Sequence, residues 1–291
     1  SDIPALLKYT RDCAVMQDGE IAIVGKTSVG FFDSDGKPID KKLMHITWDA
    51  DSAEKGGYKH FMKKEIAEQP KAVRDTLGGR IVDGKVNLPE LTLSDEQIKN
   101  IGVIHIVACG SAWHVGMTAK YLIERSAGIL CECDLASEFR YRHPVVRDND
   151  LCVVISQSGE TADTLAALRE AKSRGAHTVS IVNVVESTIA RESDDVIYTM
   201  AGPEIAVATT KAFSAQLAAV YLLALRLSRA VGSMNRRKSG IAKHFYACPS
   251  RLNRYSKTKS CSSPLPSGSQ RLRAYSSSGA GSIIQSRSRA H

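Results

Sequence analysis

The stretch that most constrains this chain is residues 150–164, DLCVVISQSGETADT. Leu151, Cys152, Val153, Val154 and Ile155 form an apolar run with no polar alternation. A strand with one wet face alternates, so an unbroken run fits a parallel strand covered by helices on both faces. Ser156, Gln157, Ser158, Gly159, Glu160 and Thr161 follow at its carboxyl end, and Leu165, Ala166, Leu168 and Ala171 then recur at helical spacing. The unit reads as buried strand, hydroxyl-rich turn and helix. The start of a helix presents unpaired N–H groups and a positive dipole end, which together hold anions such as phosphate. Open parallel sheets also bind ligands beyond the carboxyl ends of their strands. Ser and Thr ahead of a helix equally serve as N-caps. Two hydroxyls flanking Gln157, with Gly159 next to admit close backbone approach, exceed what a cap needs, yet the stretch matches neither GxxxxGK[ST] nor GxGxxG. Residue chemistry leaves cap and phosphate site both open.

The same strand–turn–helix unit repeats from Ile101 onward. IGVIHIVACGS predicts a strand and a turn at Gly110, with a helix over 113–123. Further strands are expected at 129–133, 177–182 and 196–200, and helices at 136–141, 187–194 and 211–227. Repeated βα units predict a mostly parallel sheet between two helical layers. Three strand-end turns are expected to meet at one pocket: residues 109–112, 156–161 and 204–213, the last placing Thr209 and Thr210 as a hydroxyl cap before Lys211. Upstream, residues 60–77 have helical spacing with Phe61, Ile66, Val73 and Leu77 inward, Pro70 kinking or breaking the helix, and Gly78 and Gly79 closing it. Ser94 to Gln97 read as a capped helix start, and residues 20–24 and 30–32 as strands of hairpins that cannot stand alone.

Charge sorts the chain into two parts. The net +8 over 291 residues is uneven: residues 232–291 carry 12 Lys and Arg and no acid, leaving 27 against 31 and a net of −4 before them. The body is mildly acidic, so nucleic-acid binding is not expected of it. No run approaches the roughly 20 apolar residues that cross a bilayer, and no signal peptide opens the chain. The seven cysteines contain no CxxC pair and several lie in apolar runs, so a reducing cytoplasm and no structural metal are expected. The tail, with segments such as SKTKSCSSPLPSGSQRLR, is either a basic disordered arm or an out-of-frame translation; disorder is expected in both cases.

VISQSGETADT resembles the phosphate-binding signature of sugar isomerase (SIS) domains. SDIPALLKYTRD at the start, DGEIAIV at 18–24 and EKGGYKHFMKKEIAEQP at 54–70 narrow the resemblance to the family of glutamine–fructose-6-phosphate aminotransferases (isomerising), or glucosamine-6-phosphate synthases. The resemblance implies a partial chain. Residues 1–56 would be the end of a glutaminase domain, residues 57–231 the first SIS domain, an α/β/α sandwich with a five-stranded parallel sheet, and residues 232–291 a foreign or disordered tail. By the same resemblance, Ser156, Gln157, Ser158 and Thr161 would bind the phosphate of fructose 6-phosphate, and Ser111, Val207 and Thr209 would line the sugar. Asp2 matches an aspartate that holds the glutamine amino group, although a plain turn residue is the stronger reading in an incomplete pocket. Where the family reads CGTS this chain reads CGSA, so Ala112 lacks a hydroxyl worth about 1 kcal/mol.

The reaction so implied needs ring opening and proton transfer between C1 and C2 by a positioned base. The family draws its base glutamate, ring-opening histidine and carbonyl-engaging lysine from a second SIS domain and the C-terminal tail, and works as a dimer or larger. Those motifs are absent here, so no catalytic residue and no cofactor are expected, only binding of fructose 6-phosphate or glucosamine 6-phosphate. Local candidates read as structural: Glu160 as a helix-start acid, Cys109 as a strand-end thiol, and His105 as a core histidine. His114, His143 and His177 show no metal-ligand spacing. Glu204 could face the pocket or cap the next segment.

Overall fold

The computed structural model describes residues 10, 12–14, 16–17, 19–45, 55–82 and 85–233. Asp2 and residues 234–291 lie outside them.

The first part forms small antiparallel ladders. Strands β1 (Asp12–Cys13) and β4 (Met44–His45) pair with each other, as do β2 (Ile21–Val24) and β3 (Val29–Phe32). Helix α1 (Phe61–Leu77) follows, then a ladder of β5 (Ile81–Val82) and β6 (Lys85–Val86), then the short α2 (Asp95–Lys99). Ser94 and Gln97 form a full capping box on α2, as their spacing predicts.

Helix α1 removes one of two alternatives at Pro70 and corrects the placing of Ile66. Pro70 lies inside a continuous helix and does not end it. Proline removes the N–H that would reach the carbonyl of Ile66, and the Gln69 side-chain amide donates to that carbonyl instead at 3.2 Å. Ile66 is 47% exposed, whereas Glu65 is 2% exposed. The buried face is set by polar contacts that apolar spacing does not reveal.

Five βα units build the main sheet: β7 (Val103–Ala108), α3 (Gly110–Ala127), β8 (Leu130–Leu135), α4 (Ala136–Tyr141), β9 (Leu151–Ser156), α5 (Ala162–Ser173), β10 (His177–Val182), α6 (Thr188–Glu192), β11 (Asp195–Tyr198) and α7 (Lys211–Ala230). All pairs are parallel, in the order β11-β10-β9-β7-β8. The organising strand β9 is central and buried at every position. Leu151, Val153 and Ile155 join the core under α3 and α7, while Cys152 and Val154 join the core under α5. This two-sided burial is what the unbroken run predicts.

Burial also sets the thiol chemistry. Desolvation pushes Cys152 up to about 12 from its ordinary 9.0, and likewise Cys131 to about 12. Both thiols ionise near 9 only once the chain unfolds, so they contribute stability below pH 9 that is lost as pH rises toward 12. Melting temperature is expected to fall between pH 7 and pH 10, and to fall less in Cys152→Ala; an equal fall in both proteins would contradict this assignment.

The topology fixes where a ligand can sit. Helix α3, after β7, packs on one face of the sheet, and α5, after the adjacent β9, packs on the other. Chain direction therefore diverges between the carboxyl ends of β7 and β9, the switch point at which open α/β sheets leave a crevice.

Candidate functional site

The crevice exists as a cleft of about 350 Å³. Three strand-end turns supply its walls: Cys109 to Ala112 after β7, Ser156 to Ser158 with Thr161 after β9, and Glu204, Ala206, Val207 and Thr209 from the segment between β11 and α7. Ile155 and Gln216 also line it. Ser111, Ser156, Gln157, Ser158, Thr161, Val207 and Thr209, far apart in sequence, are thus brought to one place.

The 156–161 turn is held by its own hydroxyls. The Gly159 N–H donates to Ser156 Oγ at 3.0 Å, and Ser156 Oγ lies 3.0 Å from Thr161 Oγ1. The Glu160 N–H donates to Ser158 Oγ at 3.2 Å. Gly159 has φ +68°, and a side chain there would run into Ser187. The turn is also fastened from outside, because the Ile189 N–H donates to the Gly159 carbonyl at 3.0 Å and the Thr188 N–H to the Glu160 carboxylate at 2.7 Å. Glu160 therefore caps α6, which accounts for it structurally.

Two helix N-termini open at this cleft without side-chain caps. Thr161 at α5 makes no cap hydrogen bond, its hydroxyl being turned to Ser156, and Cys109 makes none at α3. The first N–H groups of a helix need partners, and here they border a cleft whose lining contains neither Lys nor Arg. Dipole ends, amides and hydroxyls supply the anion-attracting character.

The third wall differs from its expected form. Thr210 is the N-cap of α7 but makes no side-chain cap bond, and its Oγ1 is buried with no partner among the described residues. The cap is Glu204, whose Oε1 accepts from the N–H groups of Thr210 at 2.8 Å and Ala212 at 3.2 Å. Glu204 Oε2 accepts from the Thr209 hydroxyl at 2.7 Å, so Thr209 offers a ligand only its lone pairs. A carboxylate satisfies a helix start better than a hydroxyl because it also meets the dipole. Val207 stands fully exposed at the rim. Glu204→Ala is expected to lower stability by about 1–2 kcal/mol, the usual cost of a lost cap, measurable by urea unfolding. An unchanged midpoint would contradict the capping role.

Sequence reasoning missed Glu65 and Gln216. Glu65 Oε1 accepts from the N–H groups of Ile205 at 2.7 Å and Ala206 at 3.1 Å, clamping the third wall from α1. Beside it, Lys211 donates to Glu68 at 2.7 Å. Gln216, on α7, is 3% exposed. The one available signal was the density of charge in KKEIAEQ, a segment that is half-buried.

No histidine among the described residues lines the cleft. His105 is 2% exposed, packs against Phe139 and holds Nε2 3.4 Å from Asp150 Oδ2, as a core residue does. His177 pairs with Asp195 at 2.8 Å at the opposite edge of the sheet, and His114 and His143 are exposed. Cys109 borders the cleft, half-buried, and receives a contact from the Thr164 hydroxyl at 3.7 Å.

Comparison with known proteins agrees with this geometry. Residues 97–226 match the family model of the SIS domain, a span that runs from α2 into α7 and encloses the five-stranded sheet. The chain is 54% identical over 237 residues to the glutamine–fructose-6-phosphate aminotransferase (isomerizing) of Clostridium tetani, covering 81% of this chain and 39% of that protein. It is 55% identical over 226 residues to the corresponding protein of Clostridium acetobutylicum, covering 77% and 37%. The chain thus contains a SIS domain and is similar to isomerizing aminotransferases over about four-fifths of its own length. Among solved structures, the C-terminal domain of glucosamine-fructose-6-phosphate aminotransferase from Francisella tularensis matches at 42% identity and a TM-score of 0.64, over 68% of this chain and 56% of that one. The likeness extends to the fold as well as the sequence, while the chain spans about two-fifths of the length of the curated relatives it matches.

Proposed function

We propose that this chain is the sugar-phosphate-binding part of an isomerizing aminotransferase, holding fructose 6-phosphate or glucosamine 6-phosphate in the switch-point cleft. The phosphate would sit on the turn from Ser156 to Thr161, and the sugar against Ser111, Val207 and Thr209. The observation that carries this reading is the pair of uncapped helix N-termini, α3 and α5, bordering one hydroxyl-lined cleft. Phosphate on a helix start gains from both free N–H groups and the dipole.

The lining of the cleft supports a reading of binding without conversion. Its one carboxylate, Glu204, is taken up by Thr209, Thr210 and Ala212. The parent reaction, fructose 6-phosphate and L-glutamine to glucosamine 6-phosphate and L-glutamate, would draw its bases from elsewhere in a full-length protein. On this reading residues 57–231 act as the first SIS domain and residues 1–56 as the end of a glutaminase domain.

Calorimetric titration with fructose 6-phosphate tests the reading. One saturable site per chain is expected, with no detectable site for fructose. Ser156→Ala, which removes the hydroxyl joining Gly159 and Thr161, is expected to weaken binding about tenfold, the equivalent of about 1.4 kcal/mol. Failure of the intact chain to bind, or equal binding of fructose, would sink it.

A further inference from the structure

Helix α7 buries three polar side chains beyond its apolar face: Lys211, Gln216 and Ser228. Two are accounted for. Lys211 donates to Glu68 at 2.7 Å, and Ser228 donates to the Ser126 carbonyl at 2.9 Å. Gln216, 3% exposed, has no hydrogen-bond partner among the described residues, and it is the member of the three that lines the cleft.

With no bond inside the described fold and a place in the cleft lining, its amide is left to pair with whatever occupies the cleft, water or ligand. The surroundings sharpen this. Gln216 stands among Ala212, Ala215 and Ala219, so an apolar residue would fit the same face of the helix. The polar choice finds no partner among the described residues.

We propose that Gln216 is a specificity-determining residue that reads the hydroxylated carbon chain of the sugar, leaving the phosphate to the turn from Ser156 to Thr161. The inference rests on the sugar-phosphate reading above. Its chemistry separates the two tasks. A phosphate dianion accepts hydrogen bonds and donates none, so it would use only the NH₂ half of a carboxamide. A sugar hydroxyl or carbonyl chain offers donors and acceptors side by side and can engage both halves of the amide. A neutral amide also reads such groups at a depth where a charge would be expensive to desolvate. Sites built to pair a substrate hydroxyl reject ligands that lack it, because the buried group is then left unpaired.

The test compares two probes, fructose 6-phosphate and inorganic phosphate, by calorimetry on the full chain and on Gln216→Leu. Weakening of fructose 6-phosphate by tenfold or more, with inorganic phosphate changed less than about twofold, is expected. Unchanged fructose 6-phosphate affinity, or equal weakening of both probes, overturns the proposal while the sugar-phosphate reading stands. No binding of fructose 6-phosphate by the unaltered chain overturns both. Should Gln216→Leu lose its cooperative melting, Gln216→Met is read in the same way. The side-chain NH₂ resonance of Gln216 in the unaltered chain decides independently: it is expected to shift with fructose 6-phosphate and stay with inorganic phosphate, and the absence of a shift with the sugar overturns the proposal.

Discussion

Replacing Gly159 with alanine is expected to destabilise the domain by about 3–4 kcal/mol and to abolish sugar-phosphate binding. Two costs add. An L-residue held at positive φ loses roughly 1–2 kcal/mol, and Gly159 sits at +68°. The new Cβ would lie 2.0 Å from Ser187 Oγ and 2.5 Å from Ser187 Cβ, far inside contact distance. Ser187 is 2% exposed and begins α6, so it has little room to withdraw, and overpacking of this kind costs about 1–3 kcal/mol. Because the Gly159 N–H and carbonyl both hold the turn, relief of the clash must move the backbone from Ser156 to Thr161 that borders the cleft. Thermal unfolding should show a drop of about 10 °C, at roughly 2–4 °C per kcal/mol for a domain of this size. A melting point within 2 °C of the original, with binding retained, would show that the turn tolerates a side chain.

The second large effect belongs to Glu65. Glu65 is 2% exposed and its carboxylate receives two backbone N–H groups of the third cleft wall, while Oε2 is buried with no partner among the described residues. Hydrogen bonds to a charged acceptor contribute about 1.5–3 kcal/mol each. Glu65→Ala is therefore expected to cost about 3 kcal/mol, released locally as opening of the wall from Glu204 to Thr209. Amide exchange at Ile205 and Ala206 should quicken by about 100-fold, while amides in β9 change far less. Glu65→Gln keeps one carbonyl acceptor without the charge and is expected to fall between the two. Exchange at 205 and 206 that is unaffected by Glu65→Ala would remove Glu65 from this role.

The fold was legible where burial is two-sided. The run from Leu151 to Ile155 announces a central strand because every position contacts a core, and the βα repeat around it then leaves little freedom of architecture. The convergence of three strand-end turns was legible for the same reason, since parallel strands put all their carboxyl ends on one edge. What escaped depended on polar contacts made across the chain. Ile66 reads as inward by spacing, yet α1 turns Glu65 inward because Ile205 and Ala206, 140 and 141 residues away, need an acceptor. Thr209 and Thr210 read as a cap with Glu204 left open between pocket and cap, and Glu204 does both, lining the cleft while it takes the helix start itself. Gln216 gave no signal because one glutamine in an alanine-rich helix resembles a solvent-facing residue until the cleft wall around it is seen. Glu20–Val24 and Gly30–Phe32 were nearly right as a hairpin, and the pairing of Ile21 with Phe32 defines its register.

The most direct measurement is the position of the phosphorus atom in crystals of this chain soaked with fructose 6-phosphate. The predicted result is a phosphate within hydrogen-bonding distance of the Ser158 and Thr161 hydroxyls and the first N–H groups of α5, with the sugar directed toward Ser111 and Gln216. A phosphate seated instead in the larger cavity of about 560 Å³ at the opposite edge of the sheet, beside Lys172 and His177, would contradict it.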